Sequence, residues 1–195
     1  MNFFAHNMSW MVFNAVLAFV PIILVVVLRR RLHLIPHLAI FFFWLLFLPN
    51  TIYLVTDIQH LPVQLLKSDS LIEQLLLLLQ FSTLAALGVM TYVYSLEPFA
   101  VIFKRLKFPE MKKEVLFILL NYIVSFGVIL GKVQRTHSWY IFTDPMRVYH
   151  DILRTVTNME LLTWVFVFGS IVNIIFFLFK DYFPPLRNSD KKKRK

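Results

Sequence analysis

The chain has 195 residues, of which 58% are hydrophobic and only 16% charged, and its mean hydropathy is +0.68. That is more apolar surface than a water-soluble domain of this length can bury, so the composition points to a bilayer. The lack of cysteine excludes disulfide frameworks and thiolate metal sites. The net charge of +9 does not imply nucleic acid, because most basic residues flank apolar runs, where they fix topology and meet anionic headgroups.

Five runs approach the roughly 20 apolar residues that a spanning helix needs: 9–28, 35–55, 71–95, 115–131 and 161–179. The expectation is an all-α membrane protein with about five transmembrane helices. The first run has no Lys or Arg before it and Arg29-Arg30-Arg31 after it, the reverse of a signal peptide, so it is read as a retained helix. Of the 20 Lys and Arg residues, 15 follow the first, third and fifth runs. The positive-inside rule then places the N-terminus outside and the C-terminus in the cytoplasm. Residues 1–183 form a single helical transmembrane domain on this reading. Residues 184–195, which open on Pro184-Pro185 and end in Lys191-Lys192-Lys193-Arg194-Lys195, read as a flexible basic tail on the inner leaflet.

The second run closes on Pro49-Asn50-Thr51-Ile52-Tyr53-Leu54-Val55-Thr56-Asp57-Ile58-Gln59-His60. On a continuous helix Asn50, Tyr53, Asp57 and His60 share a stripe within roughly 80°. Intramembrane polar groups are costly and usually face a protein interior or a cavity, so the stripe is a candidate site. Pro49 is expected to kink the run and free a carbonyl that Asn50 or a neighbouring helix satisfies. Thr56-Asp57-Ile58-Gln59 also has the capping-box form, and a new short helix starting at Asp57 would divide the stripe.

The third helix, residues 71–103, would reach about 50 Å against a hydrocarbon core of about 30 Å, so a break is expected at Glu97-Pro98, with residues 99–106 along the cytoplasmic interface. Ser70-Leu71-Ile72-Glu73 and Thr157-Asn158-Met159-Glu160 read as capping boxes. Asn14, Gln80, Asn121 and Asn173 need intramembrane partners. Asn121 and Asn173 lie at matching depth and are expected to bond, and Gly127 with Gly131 allows close helix contact.

The connection 132–160 faces outward and is too long for a simple turn. Trp139, Tyr140 and Phe142 suit an interfacial aromatic belt. Asp144-Pro145 reads as a helix start. The segment that follows carries Met146, Tyr149, Leu153 and Val156 on one side and Arg147, His150, Asp151 and Arg154 on the other, a short amphipathic interfacial helix with Arg147 and Asp151 paired at i,i+4.

Pro49-Asn50, Tyr53, Thr56-Asp57 and His60-Leu61, followed by Gly131, Arg135, Ser138-Trp139, Pro145 and Asp151-Ile152, resemble the pattern of a bacterial membrane-protein family, domain of unknown function 1361. His137 and Tyr140 stand where that pattern usually has Asn and an acid. The resemblance implies a multi-pass protein of the bacterial cell membrane and brings no known activity.

Three functions fit these residues. An outward polar site of Asn50, Tyr53, Asp57, His60, Arg135, Trp139, Arg147 and Asp151 would bind an anionic lipid headgroup or cell-envelope component, with Lys132 adding attraction. Alternatively, Asp57 and His60 are the catalytic candidates of a metal-dependent hydrolase or transferase, joined by His137, Asp144 or His150 and Asp151. Neither HExxH nor GxSxG occurs in the chain. The third reading is an assembly partner that docks another membrane protein. In each, Asp57 needs a cation, and Arg135, about one turn beyond Gly131, is the expected partner.

Overall fold

The computed structural model describes residues 3–30, 32–68, 70–105 and 113–182, with only the backbone described at 97–105 and 113. The basic tail 184–195 and Leu106 lie outside the described residues. Every regular element among the described residues is a helix. Five are long and apolar enough to cross a membrane: Phe3–Leu28, Leu34–Leu66, Leu71–Leu96, Glu114–Gln134 and Met159–Phe179. The five expected runs are all present, and the chain is a multi-pass helical membrane protein.

The second span is four pieces in series: α2 (Leu34–Phe47), α3 (Pro49–Thr56), a 3-10 turn (Asp57–His60) and α4 (Leu61–Leu66). Pro49 offers no amide hydrogen and its ring crowds the preceding turn, so α2 ends there and Pro49 becomes a first helical residue of α3. The freed carbonyls find other donors. Asn50 Nδ2 donates to the Phe47 carbonyl (3.0 Å), Thr51 Oγ1 to that of Leu48 (2.7 Å), and Ser138 Oγ to that of Leu46 (3.1 Å). The helix is interrupted at Pro49 as anticipated, and Asn50 bonds a carbonyl just before it, that of Phe47. Thr56 does not cap the next piece, because its hydroxyl donates back to the Tyr53 carbonyl (2.6 Å).

Placed around α3 are α1 (Phe3–Leu28), α5 (Leu71–Arg105) and α6 (Lys113–Ile129), with α9 (Met159–Phe179) outside α6. Trp44, Leu48 and Ile52 enter one buried cluster with Val25 and Leu28 of α1, Tyr92 and Leu96 of α5, Val124 and Val128 of α6, and Phe176 of α9. Leu54 joins a second cluster with Met11 and Ala18 of α1 and Phe81 of α5. Close approach of α3 needs glycine. A Cβ on Gly127 would stand 2.5 Å from Pro49 Cγ, and one on Gly88 3.1 Å from the Thr51 carbonyl oxygen.

The four polar residues expected to need intramembrane partners, Asn14, Gln80, Asn121 and Asn173, all find them, whereas Ser95 Oγ and Gln134 Nε2 are buried without one among the described residues. Asn121 Nδ2 donates to Asn173 Oδ1 (2.8 Å), the Tyr92 hydroxyl bonds Asn121 Oδ1, and Asn173 Nδ2 closes on the Gly169 carbonyl (2.8 Å). This is the expected bond between α6 and α9, worth about 0.6–2 kcal/mol. Gln80 donates to the Phe4 carbonyl (3.2 Å) and accepts from Asn7 (3.3 Å).

Three local expectations are corrected. The backbone of α5 stays helical from Leu71 through Glu97-Pro98 to Arg105, because a proline inside a membrane helix removes one hydrogen bond without obliging the helix to end. The Glu73 carboxylate ties elements together, accepting from the Phe3 amide (3.2 Å) and Ser68 Oγ (3.1 Å). The cap of α9 is Asn158, one residue later than Thr157: its Oδ1 accepts from the amides of Glu160 and Leu161 (2.9 and 3.1 Å). Asparagine is among the strongest N-cap residues, and the Thr157 hydroxyl is already committed to the Leu153 carbonyl (2.8 Å).

Candidate functional site

At the end of the bundle where α3 stops, α6 widens into a π turn (Leu130–Gln134) and terminates at Arg135, whose φ of 55° and ψ of 36° are left-handed. Glycine or asparagine usually holds such a position. The Thr136 amide then bonds the Leu130 carbonyl (3.2 Å), which turns residues 136–139 back over α3. Ser138 Oγ accepts from Asn50 Nδ2 (3.2 Å), so the later loop is fastened to the break in the second span. Thr136 Oγ1 donates to Asp151 Oδ2 (2.6 Å), fastening the same loop to α8 (Pro145–Thr157). α8 starts as expected: the Asp144 carboxylate accepts from the Arg147 amide (3.2 Å) and Pro145 opens the helix.

Together these elements enclose a cavity of about 160 Å³ whose lining includes Phe13, Asn14 and Leu17 of α1, Asn50 and Tyr53 of α3, and His137, Ser138 and Trp139 of the loop. Both halves of the motif therefore reach one place. The walls are mainly apolar, with amide, hydroxyl and imidazole groups interspersed. His137 stacks flat on Trp139 at 4.4 Å and meets Tyr140 edge-on at 5.0 Å. Partial burial and the positive charge of Arg147 hold the His137 pKa below its ordinary value of 6.5. Arg147 lies over the Tyr140 ring at 4.6 Å and approaches Asp151 at 3.8 Å, the expected i,i+4 pair.

Asp57 is buried just behind this cavity, but its partner is not Arg135. Lys132 Nζ donates to Asp57 Oδ1 at 2.6 Å, and Asn14 Nδ2 to Oδ2 at 3.2 Å. The same ammonium sits 4.2 Å from the Tyr53 ring centroid. The error of one turn has a physical cause: α6 ends between the two cations, so Lys132 is still on its inward face while the left-handed residue Arg135 is turned outward and exposed. The proximity of Gly131 to Tyr53, with a would-be Cβ only 3.4 Å from the ring, makes room for Lys132 to reach across.

His60 does not join Asp57. It is exposed, 3.3 Å from Gln59 Nε2 and edge-on to Trp10 at 5.9 Å. The winding does not part them, since i and i+3 eclipse in a 3-10 turn; the Asp57 carboxylate is drawn inward by Lys132 and Asn14, while the His60 ring is left in the open beside Trp10 and Gln59. Among the described residues no group of three His, Asp or Glu side chains is placed to hold a metal ion. Asn50, Tyr53 and Trp139 line the cavity, Asp57 supports it from behind, and Arg135, Arg147 and Asp151 stand at its outer side. Phe13, Leu17 and Thr136 were not foreseen as lining residues, since nothing in an apolar helix or a lone threonine marks the face that will meet a loop.

No curated protein and no solved structure matches the chain. A match to a family does run over residues 13–175 and takes in every residue of the cavity lining, from Phe13 to Val148. The chain therefore belongs to the family described as protein of unknown function (DUF1361).

Proposed function

We propose that this cavity is an outward-facing site, in a bacterial cytoplasmic membrane, for an anionic lipid headgroup or a cell-envelope component of similar chemistry. The observation that carries the reading is a cavity built from both halves of the motif with two guanidinium groups beside it. Lys132 is neutralised by Asp57, whereas Arg135 is exposed and has no ion pair among the described residues. Arg147 shares its charge with Asp151 only at 3.8 Å and with its side chain 42% exposed, which leaves donors for an oxyanion. Aromatic groups and apolar walls suit the uncharged remainder of such a ligand.

The split of basic residues supports an orientation with this end outside. On that reading α8 lies in the outer interface, with the exposed Met146, Tyr149, Leu153 and Val156 in lipid and Arg147 and Arg154 at the headgroups. Cysteine at Thr143 should then react in intact cells with an impermeant thiol reagent, and cysteine at Asp181 should not. The reverse pattern inverts the topology.

Binding is tested on purified protein in a neutral detergent. Phosphatidylglycerol should raise the unfolding temperature, by an amount equivalent to about 2.7 kcal/mol at a hundredfold excess over Kd. Phosphatidylcholine should do so far less. Arg135→Gln combined with Arg147→Gln should remove most of the difference, and equal stabilisation by both lipids would end the proposal.

A further inference from the structure

The depth of the cavity says how a ligand reaches it. α1 holds 26 residues, about 39 Å of helix against about 30 Å of hydrocarbon, so at most about 9 Å of it projects beyond the membrane core. Asn14 and Leu17 lie about 16 and 21 Å along the axis from Phe3. Even with the whole excess projecting at this end, these lining residues sit about 7 and 12 Å below the hydrocarbon surface. The neighbouring helix agrees: the Phe3 amide meets Glu73 in the first turn of α5, and beyond it Leu75 and Leu79 are exposed at 57% and 66%, an apolar surface that belongs in lipid at and above the level of the cavity.

Phe13 lines the cavity and is also 54% exposed, between the exposed Val12 and Val16. The wall between cavity and bilayer is therefore one side chain thick at this point. Trp139 meets the Phe13 ring edge-on at 6.5 Å, closing the gap between α1 and the 136–139 loop with a contact between two rings and no hydrogen bond. Stacked on the far face of the loop's Trp139 at 4.4 Å stands the exposed His137, with Arg147 near it. The opening at Phe13 is apolar and faces lipid, and the loop beyond Trp139 is polar and cationic.

Resting on the headgroup reading above, we propose that the ligand is an anionic membrane lipid that enters sideways from the bilayer. An acyl chain passes Phe13 into the space between α1 and the loop, while the phosphate stays beside His137, Arg135 and Arg147. The shared chemistry is a phosphate oxyanion, and the alternative source is a water-soluble phosphate ester.

The test uses full-length protein in phosphatidylcholine nanodiscs containing a small fraction of phosphatidylglycerol with a diazirine in its acyl chain. Illumination should label the inward-facing Asn14 and Leu130 as well as the lipid-exposed face of α1. Leu17→Trp, which fills the cavity from α1, should lower labelling of Leu130 at least fivefold, and so should Val148→Trp, which fills it from α8 outside the spans and guards against misfolding of the first variant. Undiminished labelling in both folded variants overturns lateral entry. Displacement of the label by millimolar glycerol 1-phosphate also overturns lateral entry but leaves the anion site standing. Cavity labelling that phosphatidylcholine displaces as well as phosphatidylglycerol supports lateral entry and ends the anion reading. Neither labelling nor any effect of glycerol 1-phosphate ends both.

Discussion

Of the places where this bundle buries polar side chains, two differ in whether those groups are used up. Between α5, α6 and α9, Tyr92, Asn121 and Asn173 form a chain that ends on the Gly169 carbonyl, while nearby Ser125 donates to the Val165 carbonyl (2.9 Å). None of them lines the cavity described above, and their hydrogen bonds go to one another and to backbone carbonyls. Where α3 meets the end of α6, the polar groups are also bonded, but around an open space, beside a left-handed arginine and an exposed imidazole. Burial of polar groups in a membrane helix is thus a poor guide to function by itself. What separates packing from a site is whether the network closes on itself or on a space, and whether it holds a backbone conformation that local preferences oppose.

The sharpest test of that distinction is the ion pair behind the cavity. Lys132→Gln or Asp57→Ala leaves a buried charge without its partner and should destabilise the protein by about 3–5 kcal/mol, read by denaturant unfolding in detergent. Asp57→Asn combined with Lys132→Gln should recover part of that loss. Pairing Asp57→Asn with Arg135→Gln should give simple additivity, since Arg135 is turned away. A larger coupling for Arg135 than for Lys132 would overturn the assignment.

Backbone approach separates the regions next. A methyl on Gly127 would overlap Pro49 at 2.5 Å, where the rigid ring cannot retreat, so Gly127→Ala should cost about 1–3 kcal/mol. Gly131→Ala meets only the edge of Tyr53 at 3.4 Å and should cost less. Equal effects would mean that the α3–α6 contact is softer than the geometry shows.

Most of the architecture was legible because the bilayer imposes it. Run length and charge flanks identify five spans, Pro49 identifies a break, and the matched depths of Asn121 and Asn173 identify a bond. The site was legible only in part. Its two segments are recognisable as polar residues at the end of apolar runs, but which cation meets Asp57 depends on where α6 stops, and sequence does not show a π turn followed by a left-handed arginine. Nor does sequence show that the Asp57 carboxylate is drawn inward by Lys132 and Asn14 while the His60 ring is left in the open beside Trp10. Thr157 was read as a cap because Thr157-Asn158-Met159-Glu160 fits the capping-box template, and only the actual start of α9 at Met159 puts Asn158 in that place.

Asn121→Ala probes the closed network. It removes the bonds to Tyr92 and Asn173 and should cost about 0.6–2 kcal/mol, with no change in the lipid preference. If lipid affinity falls with it, the two regions are coupled and their separation fails.

The smallest effect is a titration at the cavity rim. The pKa of His137 is lowered in the folded chain by its burial and by Arg147, so between the ordinary imidazole value near 6.5 and the lowered one the unfolded chain binds more protons than the folded chain. Stability from this group is therefore complete above that window and falls as pH descends through it. A bound anion has the opposite sign, because it favours the imidazolium, so phosphatidylglycerol affinity should rise as pH descends through the same window. Because His137 stacks on Trp139 at 4.4 Å, its protonation should also quench indole fluorescence, which reports the titration directly. His137→Gln should abolish the fluorescence step and both pH slopes while leaving the Asp57–Lys132 pair intact. Affinity that falls in parallel with stability as pH drops would show that His137 does not face the bound anion, and would move the headgroup away from this rim toward Arg135.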